Sequence, residues 1–120
     1  MEMQIETRLS DQLARYLDLA VSKTKLTAAN MANIDTPGYQ TLDINFEAEM
    51  RNALSDVGQG EAIPVQVKTA DGLITRPDGN NVSMDREGLE LAEAQLKFRI
   101  GVALLRLENQ RVMDAIHVDK

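Results

Sequence analysis

The chain contains no cysteine and no tryptophan, and its 120 residues hold only two Tyr, two Phe and one His. Without cysteine there is no disulfide, no thiolate metal site and no Cys nucleophile. With aromatics at 3%, the large side chains that usually fill a globular core are in short supply. Basic charge is scarce too: 13 Lys and Arg stand against 19 Asp and Glu, for a net charge of −6. Phosphate backbones and anionic membranes are held by clustered Lys and Arg, so nucleic acid is not an expected partner. No apolar run approaches the roughly 18–20 residues that span a bilayer, so a membrane-spanning role is not expected either. Residues 1–10 mix Glu2, Glu6 and Arg8 with scattered apolar residues, unlike the basic start and apolar run of a secretory signal. The expectation is a soluble chain, or one that leaves the cell by a route needing no cleaved signal.

What is present is Leu, Ala, Val, Ile and Met, in helical spacing at both ends. From Ile5 to Ile34 the residues Ile5, Leu9, Leu13, Tyr16, Leu17, Ala20, Met31 and Ile34 share one stripe at 100° per residue, continued by Thr24 and Thr27. Pro37-Gly38 follows as a strong turn signal, and Thr36 before the proline is biased away from helix. The other long helix is expected from an N-cap at Ser83, with Asp85 and Glu87 in its first turn, to about Ile116. It carries two apolar sides. Leu89, Ala92, Leu96, Ile100, Ala103, Leu104 and Leu107 form one; Leu91, Phe98, Val102, Leu105, Val112 and Ile116 form the other, nearly opposite. Pairing with the first helix covers one side only, and a chain of this length has no third long helix for the other. Neighbouring copies or partners are the simplest cover.

The middle reads as loop-rich. Asn45–Asn52 suits a short helix, Ile63–Lys68 alternates like an edge strand limited by Pro64, and Asp71-Gly72 and Asp78-Gly79-Asn80-Asn81 are turns. The expected fold is mainly α: long N- and C-terminal helices paired as an antiparallel coiled coil, with a loop-rich middle and room for one short strand. The divisions fall at 1–36, 37–82 and 83–120.

No catalytic constellation emerges. Asp78, Asn80 and Ser83 fail the register of a calcium loop, since Ser83 stands where glycine is needed and Leu89 where glutamate is needed. Gly58 and Gly60 lack the third glycine of a phosphate loop. His117 has no neighbours that would make a metal site or a base. Asp43, Glu47 and Glu49 read as a solvated acidic face. No cofactor, metal or catalytic residue is expected, and the chain is not expected to be an enzyme.

The stretch Ala28-Ala29-Asn30-Met31-Ala32-Asn33-Ile34-Asp35-Thr36-Pro37-Gly38-Tyr39 resembles the Ala-Asn-x-x-Asn-x-x-Thr-Pro-Gly-Tyr signature of bacterial flagellar rod and hook proteins. Leu42–Glu47 and Asp78–Glu87 are similar to segments of the proximal rod members of that family. The last helix departs from the pattern at Phe98-Arg99, where Tyr-Gln is common, and in the tail from Ile116 to Lys120. The resemblance implies a structural subunit of the hollow, torque-bearing periplasmic rod, exported through the flagellar type III apparatus. Its implied partners are copies of itself, the FliE rod-junction protein and the FlgC rod protein.

The implied subunit interface takes in Leu9, Leu13, Tyr16 and Leu17, the joint residues Asn30, Asn33, Thr36, Pro37, Gly38 and Tyr39, and Leu89, Leu91, Leu96, Phe98, Ile100, Val102, Leu104, Leu105 and Leu107. Of these, Leu91, Phe98, Val102 and Leu105 are expected to meet neighbouring subunits. Phe46 with Met50 fits the Phe-x-x-x-apolar pattern that the family is thought to present to the export gate, and Phe98 with Val102 has the same spacing. A coiled-coil adaptor or chaperone shares the helix pattern but needs neither the Thr-Pro-Gly-Tyr joint nor the Asp78–Glu87 lead-in.

Overall fold

The computed structural model describes residues 7–55 and 64–117. The first helix, α1 (Arg8–Ala32), starts where Thr7 closes a capping box: its hydroxyl accepts from the Ser10 N–H, and the Ser10 hydroxyl accepts from the Thr7 N–H. That exchange satisfies amides the first turn cannot use internally. The helix stops at Ala32, five residues short of Pro37, because the Asn33 side-chain amide donates to the Ala29 carbonyl and the Thr36 N–H then turns back to Asn33. Gly38, at φ +77, carries the chain round the corner.

A two-residue strand, β1 (Leu42–Asp43), leads into α2 (Phe46–Ser55). A second short strand, β2 (Lys68–Thr69), pairs antiparallel with β1, with Leu42 opposite Thr69 and Asp43 opposite Lys68. The strand expected over Ile63–Lys68 is thus displaced: residues 64–67 lie outside the ladder, and Ile63 lies outside the described residues. Pro64 has no N–H to donate, and β1 offers only two residues to pair with.

The last helix, α3 (Met84–Ile116), is capped by Ser83, whose hydroxyl accepts from the Arg86 N–H. It runs antiparallel to α1, so Thr7 meets Glu108 at one end and Asn30 meets Glu87 at the other. The result is an extended hairpin of 69 × 26 × 25 Å, with α2 and the two strands packed on the turn-proximal half.

The core between the helices is narrow and largely not apolar. On α1 the buried residues are Leu13, Leu19, Ala20, Lys23, Thr27 and Asn30; with the half-buried Tyr16, all but Leu19 alternate three and four apart, which is the spacing of a coiled-coil seam. On α3 the buried residues are Glu87, Ala94, Gly101 and Glu108, seven apart. A Cβ at Gly101 would come within 2.7 Å of Leu17 Cδ2 and 2.9 Å of Tyr16 Cδ1. The absence of a side chain is what lets the helices approach there.

Candidate subunit interface

The contact face of α3 is centred on Ala94 and Gly101, and their positions decide which apolar side turns inward. Leu91, Val102 and Leu105 lie beside that line and are half-buried. Leu89, Leu96, Ile100, Leu104 and Leu107 lie on the other side and stay exposed, with Leu89, Leu96 and Leu107 at 63%, 59% and 66%. Of the side expected to meet neighbours, Leu91, Val102 and Leu105 are thus half-buried within the single chain. Gly101, having no side chain, admits Tyr16 and Leu17 at this face. Phe98 sits at the edge of the contact and is 40% exposed.

On the exposed side, Leu89, Glu93, Leu96, Ile100, Ala103 and Leu107 recur four and three apart. This is a second heptad seam on a helix that already uses one. α1 contributes less to the surface, with Leu9 and Val21 among its exposed apolar residues.

At the turn end the hairpin is locked by a buried polar joint. Asn30 uses every hydrogen-bonding position of its amide. Its nitrogen donates to the Leu42 carbonyl at 2.8 Å and to Glu87 Oε2 at 3.1 Å. Its oxygen accepts from the Tyr39 hydroxyl at 2.9 Å and from the Leu42 N–H at 3.1 Å. One side chain of α1 thereby stands in for a strand partner of β1 and holds the tyrosine of the Thr-Pro-Gly-Tyr turn. Burial, and then the nearby Glu87 carboxylate, push the Tyr39 phenol above its ordinary pKa.

Asn80, fully buried, donates to the carbonyls of Asn33 and Thr36, at 2.8 and 2.9 Å. Asn81 accepts from the Thr41 N–H and donates to Gln40. Arg76 reaches the carbonyls of Val82 and Ile34. Gly79, at φ +88, sits so close to Gly38 that a Cβ would lie 3.2 Å from the Gly38 Cα. Thr36, Pro37 and Gly38 themselves remain exposed, and Asn33 and Tyr39 are half-buried.

Alongside the joint lies an alternating ion network. Lys23 bonds Asp43 and lies 2.9 Å from Glu90; Arg86 lies 2.9 Å from Asp43 and also bonds Glu87. Burial opposes charge on Lys23 and on Asp43. The bonds to their partners outweigh it, so the lysine is held above its ordinary pKa and the aspartate below. Asp43 and Glu49 depart from the expected solvated face: Asp43 is half-buried in this network, and Glu49 is buried and accepts from the Gln66 N–H. Lys23, Arg76, Asn80, Asn81 and Arg86 were not among the expected site residues. A lone charge on a helix gives no sign from sequence that an acid distant in the chain will meet it.

Phe46 packs edge-on against Tyr16, with ring centroids 5.5 Å apart, under the Lys97 ammonium at 4.1 Å. With Met50 and Leu54 it borders a groove on α2 of about 390 Å³.

The chain matches no family model. It is 32% identical to flagellar basal body rod protein FlgB of Salmonella typhimurium, over 83% of the chain and 86% of that protein. It is 33% identical to the FlgB of Escherichia coli over the same shares, and 32% identical to that of Cereibacter sphaeroides over 92% of the chain and 97% of its relative. The chain belongs to the FlgB family of flagellar basal body rod proteins. In this FlgB-family chain, the polar joint is built on the Asn-x-x-Asn-x-x-Thr-Pro-Gly-Tyr stretch, and the α3 seam leaves Leu89, Leu96, Ile100 and Leu107 exposed. Among the described residues, no helix is long and apolar enough to cross a membrane.

Proposed function

We propose that the chain is a structural subunit of the proximal rod, stacking helically with other rod proteins into a hollow shaft. That shaft transmits torque and lets distal subunits pass. The role is mechanical rather than catalytic. The observation that carries this reading is the second heptad seam of α3, exposed on a chain of a rod-protein family. Burial of each Leu or Ile on that seam contributes roughly 1.5–3 kcal/mol, which a monomer forgoes and an assembly recovers.

Copies of the chain, the FliE junction protein and FlgC are the neighbours that suit such a surface. The joint residues Thr36, Pro37 and Gly38, exposed at the hairpin tip, and Leu9 at the far end are the other surfaces a neighbour would touch. Leu13, Tyr16, Leu17, Leu91, Val102 and Leu105 support the interface from within the hairpin.

Substituting Leu96→Glu and Ile100→Glu together tests the reading. The purified variant keeps the helicity of the parent. In cells lacking the parent chain it fails to restore swimming and is absent from isolated basal bodies. Normal incorporation of the double variant overturns the proposal. The export-gate role of Phe46 and Met50 is tested by secretion: Phe46→Ala stays in the cell, although its helices still form, and normal secretion removes Phe46 from that role.

A further inference from the structure

The hairpin carries a second apolar feature on a different flank. Val21 and Thr24 of α1 and Phe98 of α3 line a groove of about 430 Å³, bordered by Lys25, Gln95 and Arg99. Grooves of this volume accommodate compact apolar groups, and one walled by two antiparallel helices suits the ridge of a third. On the α3 wheel the groove residues Gln95, Phe98 and Arg99 lie roughly 130° from the seam of Leu89, Leu96, Ile100 and Leu107. The two features therefore face different directions.

Charge relates the two features. Glu93 is the single charged residue within the seam's apolar run, and it makes no ion pair among the described residues. The one cation within a turn of it on α3, Lys97, is already engaged over Phe46. The groove offers the opposite sign: Lys25 and Arg99 stand at its edges, and neither makes an ion pair among the described residues. Packing one seam against an identical seam would set Glu93 among leucines and alanines. A carboxylate buried without a cation is strongly disfavoured.

We propose that the α3 seam of one copy seats in the Val21–Phe98 groove of the next, with Leu96 and Ile100 entering the groove and Glu93 meeting Lys25 and Arg99. The contact is heterologous: each copy offers a ridge on one flank and a groove on another. Such contacts propagate from copy to copy, into a ring where the rotation closes and into an open helical array where it does not. This inference rests on the reading of the chain as a rod subunit and adds which face meets which.

The cysteine-free sequence makes the test clean, because a disulfide between two copies of this chain can form only between introduced residues. Cells co-express two copies, one with Val21→Cys and one with Leu96→Cys; basal bodies are isolated and oxidised. The mixed Val21–Leu96 dimer is expected to exceed either like-with-like dimer by about tenfold. Adding Glu93→Lys lowers the mixed product by about tenfold, and adding Lys25→Glu with Arg99→Glu to the other copy restores it. A dominant Leu96–Leu96 dimer, or a mixed yield indifferent to Glu93→Lys, overturns the inference while leaving rod membership intact. Absence of the parent chain from basal bodies defeats the rod reading, and this inference with it.

Discussion

Asn30 is the residue on which most of the turn end depends. Removing its amide leaves the Leu42 N–H and carbonyl, the Tyr39 hydroxyl and one oxygen of Glu87 without their partner. Each buried polar group stranded in this way costs about 1–3 kcal/mol. Asn30→Ala is therefore expected to lower unfolding free energy by about 2–4 kcal/mol in a urea titration. Thr41 makes the opposite case: it is fully buried, and its hydroxyl has no partner. Thr41→Val should be neutral or stabilise by up to about 1 kcal/mol in the same titration.

Asp43 and Lys23 give the joint a pH window. Asp43 sits below its ordinary 3.8, so its contribution is complete above that value and is lost as pH falls through the lowered one. Lys23 sits above its ordinary 10.5, so its contribution is complete below that value and is lost as pH rises through the raised one. Asp43→Asn should reduce stability at neutral pH and flatten the fall in urea midpoint on going down to about pH 3. An unchanged acid slope would show that other carboxylates govern it.

At the scale of the element, α3 shows what a sequence conveys and what it withholds. Both long helices, the Ser83 cap, the acids of the first turn and the turn at Pro37-Gly38 were legible, because each rests on local chemistry. Two apolar sides were legible as well. Their assignment was not, because both repeat at nearly the same period and leucine looks the same on either. The deciding residues were the small ones, Ala94 and Gly101, which hydrophobic patterning counts as weak or silent. The Asn30 amide ties the helix end to neighbouring backbone at Leu42. Its partners Glu87 and Asn80's hold on Asn33 and Thr36 span 57, 47 and 44 residues of sequence, and polar pairings across such distances leave no periodic trace.

Gly101 supplies the test at this scale. Alanine is favoured over glycine in a helix by about 0.8–1 kcal/mol, but its Cβ would meet Leu17 and Tyr16. Gly101→Ala is expected to fall within about 1 kcal/mol of the parent, because the two effects oppose. Gly101→Val keeps only a small part of the propensity gain and adds more volume, and should cost about 1–3 kcal/mol, read as a lower melting temperature. Equal stability of the two variants would mean that the helices do not approach closely there.

At the scale of the whole molecule, α3 turns more leucine outward than inward: Leu89, Leu96, Leu104 and Leu107 are exposed, while Leu91 and Leu105 are half-buried. Much of the free energy available to α3 is therefore available only to an assembled copy. Its melting temperature should rise with protein concentration, as for any fold whose stability is linked to association. Leu96→Glu should abolish that dependence without lowering the melting temperature of the dilute chain by more than a few degrees, about 1 kcal/mol in a domain of this size. A concentration-independent parent would argue that the seam stays bare.

The line of close contacts inside the hairpin also bears on load. Glu108 holds Thr7, Gly101 seats against Tyr16 and Leu17, and Glu87 holds Asn30. The outer two are about 32 Å apart along α3. Two rods pinned at both ends and interlocked between them resist sliding past one another. A twisting load applied to α3 is then shared with α1 along the length of the pair rather than concentrated at the turn. In a shaft built from such hairpins, shear stiffness comes from the small and polar residues within each pair, while the leucines outside determine which pairs stand side by side.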